Sequence, residues 1–487
     1  MKVLKDILYK VSIESVIGNT GRTIAALHYD SRNVGKNDVF IAIKGSAYDG
    51  HEFINTAISQ GVSVVVCQEL PFELVDSVTY VVVLNSSQAL ATMASNYYEN
   101  PSENLKLIGI TGTNGKTTVA TLLYELFKNA GYKVGLISTV KIMVDSKRYP
   151  TAHTTPDSLV INAFLSQMSL EGVDFCFMEV SSHGIHQHRI EGLNFAGGVF
   201  TNLTQDHLDY HETFSEYRDV KKSFFDRLPS TAFALVNGDD KNSSVMLQNS
   251  KAKQYYYALK SYADFRTQIL ENQFRGLLLK INDNEIWAKL IGSFNAYNLT
   301  AIYGVSELLG LKSTEALRLM STLDNVNGRF EYFVSDTNIT TIIDYAHTPD
   351  ALKNVLETIN SIRTKNETLI TVVGCGGDRD KSKRPRMAHI ASALSTKIIF
   401  TSDNPRSENP DQIISEMEGG VEAQNFKKTI SITNRKQAIK TACQLAEPND
   451  IILVAGKGHE TYQEVNGIKS EFNDYKITEE FLKQLKK

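Results

Sequence analysis

The run that most constrains this chain is the apolar stretch LKLIGI. It leads straight into Thr111-Gly112-Thr113-Asn114-Gly115-Lys116-Thr117-Thr118 and then VATLLYELFKNAG. The first stretch fits a buried strand. The last carries apolar residues at i, i+3, i+4 and i+7 and ends at Gly131, a suitable helix C-cap. In a strand–turn–helix, glycines let backbone N–H groups approach phosphate oxygens, and the helix N-terminus adds partial positive charge. Lys116 is then expected to reach the outer phosphates and the Thr117 hydroxyl to ligate Mg²⁺. The run departs from G-x-x-x-x-G-K-[ST], because Ile110 stands where the first glycine would be. A plain glycine turn with a surface lysine leaves the flanking strand and helix unexplained. ATP or a close relative is the expected ligand.

At 487 residues the chain predicts two to four domains. Polar breaks at ENPSENL and at Asn327-Gly328-Arg329 divide it into segments 1–98, 99–328 and 329–487. In each, short β-branched runs alternate with helical patterns: DVFIAIKG and GVSVVVCQE first, then DFCFMEV and FALVN, then ITTIIDYA and DIILVAG. The expected class is α/β, with a central, mainly parallel sheet of P-loop ATPase type and a doubly wound, Rossmann-like third segment. Thr348-Pro349-Asp350 reads as an N-cap followed by proline at the first helical position. A net charge of −4 argues against a general nucleic-acid binder. Cys67, Cys176, Cys375 and Cys443 lack metal-ligand spacing and read as reduced core thiols. No run reaches the roughly 18 apolar residues that span a bilayer, and MKVLKDILYK lacks a secretory apolar core. The expected address is cytoplasmic, with no membrane partner.

Two downstream stretches carry further chemistry. Glu179 ends the DFCFMEV strand, just before Ser181, Ser182 and His183. A carboxylate at a strand's C-terminal end sits near the crevice where such sheets bind ligands, and Mg²⁺ favours carboxylate oxygens. Alone, a strand-end glutamate more often just satisfies its neighbours; the phosphate loop reverses that balance. Residues 201–211, TNLTQDHLDYH, pack two histidines and two aspartates into one loop, without zinc spacing. From the residues alone this is an ATP–Mg²⁺ enzyme.

The phosphate loop, MEVSSHGIHQHR, TNLTQDHLDYH, SFNAYN, NGRFE, DYAHTPDAL, GCGGDRDKSKRP, DNPR and GKGHETYQ together resemble, in order, the motifs of the Mur ligase family. The resemblance runs nearly the whole chain. It implies three α/β domains: one for the UDP end of the substrate, a central ATPase and a C-terminal Rossmann-like domain. It implies catalytic roles for Lys116, Glu179, His207 and Lys221, with Lys221 carbamylated to N6-carboxylysine, and a metal set of Thr117, Glu179, His207 and Lys221. ATP contacts are implied for Gly112 to Thr118 and for Asn295, Asn298, Arg329, Asp344 and His347. UDP-substrate contacts are implied for Asp30, Ser31, Arg32, Thr154, Thr155, Ser181, Gln187 and Arg189. The implied reaction has two steps: an acceptor carboxylate attacks the γ-phosphate of ATP, and an amine then displaces phosphate from the acyl phosphate. The implied partners are small molecules, and a monomer is expected.

Asp403-Asn404-Pro405-Arg406 bears on which amino acid is added. Arginine at the fourth position resembles the branch that adds meso-diaminopimelate to UDP-N-acetylmuramoyl-L-alanyl-D-glutamate. A guanidinium fork can grip the distal carboxylate that lysine lacks. Arg379, Gly456 and Glu460 match the other positions around that substrate, Glu460 being suited to an ammonium group. Taken alone, Arg406 could be a surface salt-bridge partner. The alternatives are a lysine-adding relative, a folylpolyglutamate-type ligase and a nucleotide-gated scaffold. A dinucleotide oxidoreductase using Gly374-Cys375-Gly376-Gly377 is disfavoured, because that run does not fit G-x-G-x-x-G.

Overall fold

The structure, a computed structural model, describes residues 2–45, 48–207 and 210–487. Three sheets organise these residues. The first places Ile13–Ile17, Thr79–Val83, Val64–Cys67, Val39–Ile41 and Leu27–His28 side by side, parallel except for Ile13–Ile17. The second has 11 strands, with Lys106–Thr111 between Phe175–Glu179 and Phe195–Phe200. It is parallel from Val134–Ile137 to Phe265–Gln273. The third orders Glu331–Val334, Thr340–Asp344, Ile451–Ala455, Leu369–Val373, Lys397–Phe400 and Thr429–Ser431, with only Glu331–Val334 antiparallel.

The central parallel strands, among them Phe175–Glu179, Leu369–Val373 and Ile451–Ala455, are buried along their whole length because both faces are covered, so no alternation is needed. The helix Lys116–Asn129 is likewise buried almost all round, from Thr117 to Tyr124 and again at Leu126 and Phe127. The helix Ser293–Leu308 packs against it and adds to that burial. Gly131 follows its end at φ +93°, as its sequence position suggested.

Antiparallel strands at the sheet edges were not anticipated. The meander Phe265–Gln273, Gly276–Ile281 and Asn284–Ala288 mixes polar and apolar residues, and its pairing depends on neighbours rather than composition.

In the second and third sheets the chain order reverses beside Lys106–Thr111 and beside Ile451–Ala455. Crevices at such switch points, at the C-terminal strand ends, are where open α/β sheets bind ligands. All four cysteines are buried and free, and burial pushes each thiol above its ordinary range. No helix among the described residues is long and apolar enough to cross a membrane.

Candidate active site

The strand Lys106–Thr111 delivers the chain into a turn whose two glycines have backbone angles few other residues adopt: φ +144° at Gly112 and +88° at Gly115. A Cβ on Gly115 would stand 2.7 Å from Asn298 Oδ1, and one on Gly112 would stand 2.0 Å from Thr201 Oγ1. The helix Lys116–Asn129 begins at Gly115 with no side-chain cap, leaving first-turn N–H groups for a ligand. Lys116 Nζ donates to the carbonyls of Gly112 (2.9 Å) and Thr113 (2.8 Å). Burial holds this amine below its ordinary range, opposed by Glu179 and Asp206. Thr113 faces inward, its hydroxyl 3.2 Å from Thr204 O and 3.1 Å from Tyr217 Oη.

Lys221 reaches the same turn from the helix Phe214–Asp226, its Nζ 2.9 Å from Gly112 O. Gly109 and Gly198 make this approach possible, since a Cβ on either would meet the Phe224 ring at 2.6 or 2.9 Å. Lys221 is 1% exposed, and burial, then the nearby Lys116, holds its amine well below the ordinary lysine range. Glu179 is fully buried. Its carboxylate accepts hydrogen bonds from Thr117 Oγ1 (3.0 Å), Thr139 N (2.8 Å) and Thr139 Oγ1 (3.1 Å). Arg329 Nη2 donates to Thr117 Oγ1 at 3.1 Å, joining the third sheet's segment to the loop.

His207 stands at φ +54° beside Asp206 (Nε2 to Oδ2, 3.4 Å), with the His183 ring centred 4.9 Å away. Burial holds His207 below its ordinary range, and Asp206 works against that shift. Leu208 and Asp209, part of the loop singled out in the sequence, lie outside the described residues. Among the described residues no group of three or more His, Cys, Asp or Glu side chains is gathered for a metal. Glu179 with the Thr117 hydroxyl offers hard oxygen donors, the chemistry that suits Mg²⁺ when waters and phosphates complete its shell.

A cavity of about 320 Å³ opens beside the loop, lined by Asn114, Gly115, Thr118, Asn298, Arg329, Asp344 and His347. Asn295 stands behind this wall, its Oδ1 accepting from Asn298 Nδ2 at 3.0 Å. Burial pushes Asp344 up to about 6, although its carboxylate accepts from Phe330 N and Ala346 N at 2.7 Å. His347 is pushed down to about 4 by burial and Lys383. Asn114 Nδ2 reaches Asp350 Oδ2 at 3.1 Å across the cavity mouth.

A second cavity, about 1010 Å³, takes Asp30, Ser31, Arg32, Gln187 and Arg189 into its wall. Arg32 clasps Asp30 through Nε (2.9 Å) and Nη2 (2.7 Å), and this pairing holds Asp30 down to about 2. Arg189 grips Gln187 Oε1 and the carbonyl of Thr155. Thr154, Thr155 and Ser181 sit outside that wall, toward Glu179. Thr155 Oγ1 donates to Glu179 O (2.8 Å) and accepts from Ser181 N, and Thr154 Oγ1 accepts from Thr139.

Three strand ends of the third sheet bring a further cluster of residues together. Arg406, at φ +50°, is held by Glu464 O and Asn466 N, and its Nη1 donates to Gly377 O at 2.7 Å. Asn404 Nδ2 donates to Glu460 Oε2 at 2.8 Å. A Cβ on Gly456 would lie 2.5 Å from Asp403 Oδ2, and one on Gly377 2.0 Å from Pro405 O, so these loops pack too closely for side chains at either glycine. Arg379 stands apart on the exposed rim, bonded to Asp378 O.

Known proteins align with this architecture along its length. The Mur ligase family catalytic domain matches residues 23–98, the Mur ligase middle domain 110–306, and the Mur ligase glutamate ligase domain 328–458. The UDP-N-acetylmuramoyl-L-alanyl-D-glutamate--2,6-diaminopimelate ligase of Cytophaga hutchinsonii is 52% identical over 485 residues, covering 99% of this chain and 100% of that protein. The protein of the same name from Phocaeicola vulgatus is 50% identical, covering 97% and 98%. The chain belongs to the Mur ligase family. A solved structure of a UDP-N-acetylmuramoyl-L-alanyl-D-glutamate--2,6-diaminopimelate ligase superposes with TM-score 0.69 at 29% identity, covering 100% of this chain and 99% of that one.

Several residues in this Mur ligase site escaped the sequence reading. Lys457 is fully buried between Asn404 and Glu460, and Tyr210 accepts from Gln187 Nε2 at 3.1 Å beside the larger cavity. The motifs GKGHETYQ and TNLTQDHLDYH contained both. A buried lysine reads like a solvated one until its partners are known.

Proposed function

We propose that this Mur ligase joins meso-diaminopimelate to UDP-N-acetylmuramoyl-L-alanyl-D-glutamate with ATP hydrolysis, through an acyl phosphate, in peptidoglycan synthesis. The observation that carries the reading is the convergence of Lys116, Lys221 and Glu179 on one glycine turn, within a chain about half identical to ligases of that name. We assign residues 1–98 to the UDP end of the acceptor, 99–328 to ATP and 329–487 to the amino acid.

ATP phosphates lie on the first-turn amides of Lys116–Asn129, with the nucleoside in the smaller cavity. The acceptor enters from the larger cavity, its carboxylate directed past Thr155 and Ser181 toward Glu179. Lys116 swings from the Gly112 and Thr113 carbonyls onto the outer phosphates and offsets charge developing there. Arg329, already on Thr117 Oγ1, adds a second cation at the same place. The amine of diaminopimelate then attacks the acyl carbon, and phosphate leaves. Arg406 grips the distal carboxylate, and Glu460 faces the distal ammonium.

Thr117, Glu179, His207 and a carbamylated Lys221 would hold Mg²⁺. When bound, Mg²⁺ supplies charge neutralisation between the anionic nucleophile and the anionic phosphate. Support for the modification lies in the depressed Lys221 amine: in its neutral form it can add CO₂, losing a proton to give an anionic carboxylate. We place the enzyme in the cytoplasm as a monomer with small-molecule substrates only.

The test is ADP release by the purified chain with ATP and the UDP-linked acceptor. Diaminopimelate is expected to support release, and lysine to be on the order of 10²-fold less efficient or worse. Equal efficiency with lysine overturns the amino-acid assignment; no release with either overturns the function.

A further inference from the structure

Lys457 follows the strand Ile451–Ala455 by two residues, and its side chain has no exposure to water. A buried ammonium is costly unless it is paired and hydrogen-bonded. Here Nζ lies 2.8 Å from Asn404 Oδ1, 2.9 Å from Glu460 Oε2 and 3.7 Å from Asp403 Oδ1. Asn404 Oδ1 also accepts from Glu464 N at 3.0 Å, and Asn404 Nδ2 donates to the same Glu460 oxygen. The Asn404 amide therefore has one satisfactory orientation. Glu460 Oε2 receives two donors from within the protein, while Oε1 accepts from none among the described residues. The network leaves one carboxylate oxygen, in a fixed position, to meet an incoming donor.

Charge balance extends the argument. Asp403 and Glu460 bring two negative charges, and Lys457 and Arg406 two positive ones. The charges of these four groups balance one another, so a distal group carrying both an ammonium and a carboxylate adds little net charge among them. A distal ammonium alone brings an unmatched positive charge toward a buried cation that cannot move away. Resting on the function proposed above, we propose that Lys457 is a positioning and specificity-determining residue. It locks Glu460 and Asn404 into the orientation that receives the distal ammonium, and its fixed charge disfavours amino acids lacking the distal carboxylate.

The experiment measures KM and kcat for diaminopimelate, lysine, ATP and the UDP-linked acceptor in wild type, Lys457→Met and Lys457→Gln. Lys457→Gln removes the charge but keeps a donor toward Asn404 and Glu460, so it remains informative if Lys457→Met folds poorly. In both, KM for diaminopimelate is expected to rise roughly tenfold or more, and the diaminopimelate-to-lysine ratio of kcat/KM to narrow by about tenfold. KM for ATP and the acceptor is expected to stay within about twofold, a split that general loosening of the fold would not give. An unchanged ratio in both variants, or a loss confined to kcat with every KM unchanged, overturns the inference. A wild-type chain that ignores diaminopimelate defeats the underlying function instead, so the two failures are distinct.

Discussion

The glycine loop proposed to hold the nucleotide takes its residues from one uninterrupted run, 111–118, whereas the cluster around Arg406 gathers Gly377, Asn404, Gly456 and Glu460 from three strand ends. In the first, two glycines with positive φ shape the backbone and the following helix orients the amides. In the second, position depends on which strands lie side by side: Ile451–Ala455 beside Leu369–Val373, and Leu369–Val373 beside Lys397–Phe400. A phosphate site can be written into a few neighbouring residues because it recognises charge through backbone groups. An amino-acid site must discriminate side chains, so it needs groups placed around the ligand from several directions.

The contrast predicts that damage to the loop abolishes chemistry whichever amino acid is offered, whereas damage to the cluster changes only the choice. Lys116→Met should lower kcat on the order of 10³-fold while leaving equilibrium binding of diaminopimelate intact, as read by isothermal titration. Weakened diaminopimelate binding in that variant would show the two regions to be one unit. Arg406→Ala should raise KM for diaminopimelate by roughly ten- to hundredfold, for a loss of about 1.5–3 kcal/mol, with KM for ATP unchanged. An unchanged diaminopimelate KM removes Arg406 from the amino-acid site. Gly115→Ala must hold a side chain at φ +88° against Asn298 Oδ1, a strain of about 1–3 kcal/mol. Weaker nucleotide binding should follow, read by fluorescence titration of an ATP analogue.

The smallest effect concerns Asp344, between the two regions. Its folded-state pKa of about 6 lies above the ordinary carboxylate value because of burial. Its contribution to stability is therefore complete below about pH 4 and is lost as pH rises through about 6. In Asp344→Asn that loss should vanish. The difference in melting temperature between wild type and variant should shift in the variant's favour from pH 4 to pH 7; a constant difference would show that Asp344 does not titrate in this window.

Legibility in the sequence followed the same divide. The strand–loop–helix around Lys116, the apolar parallel strands and the Thr348 cap were all readable, because each rests on interactions within a few residues. The antiparallel meander at residues 265–288 was not, since partly exposed strands carry little compositional signal. Arg406 was legible as a choice of residue type, but its left-handed backbone and its bond to Gly377 were not.

The order of residues along the chain was enough to assign the α/β class, the strand–loop–helix around Lys116 and the family motifs, because periodicity and glycine geometry act over short stretches. Long-range packing alone brought Lys221 onto the Gly112 carbonyl, fitted Arg329 to Thr117 and buried Lys457 between Asn404 and Glu460. Each of those contacts spans at least one strand crossover except the local Lys457–Glu460 pair, and for Lys221 and Lys457 burial is what sets an ordinary-looking cation apart from a solvated one.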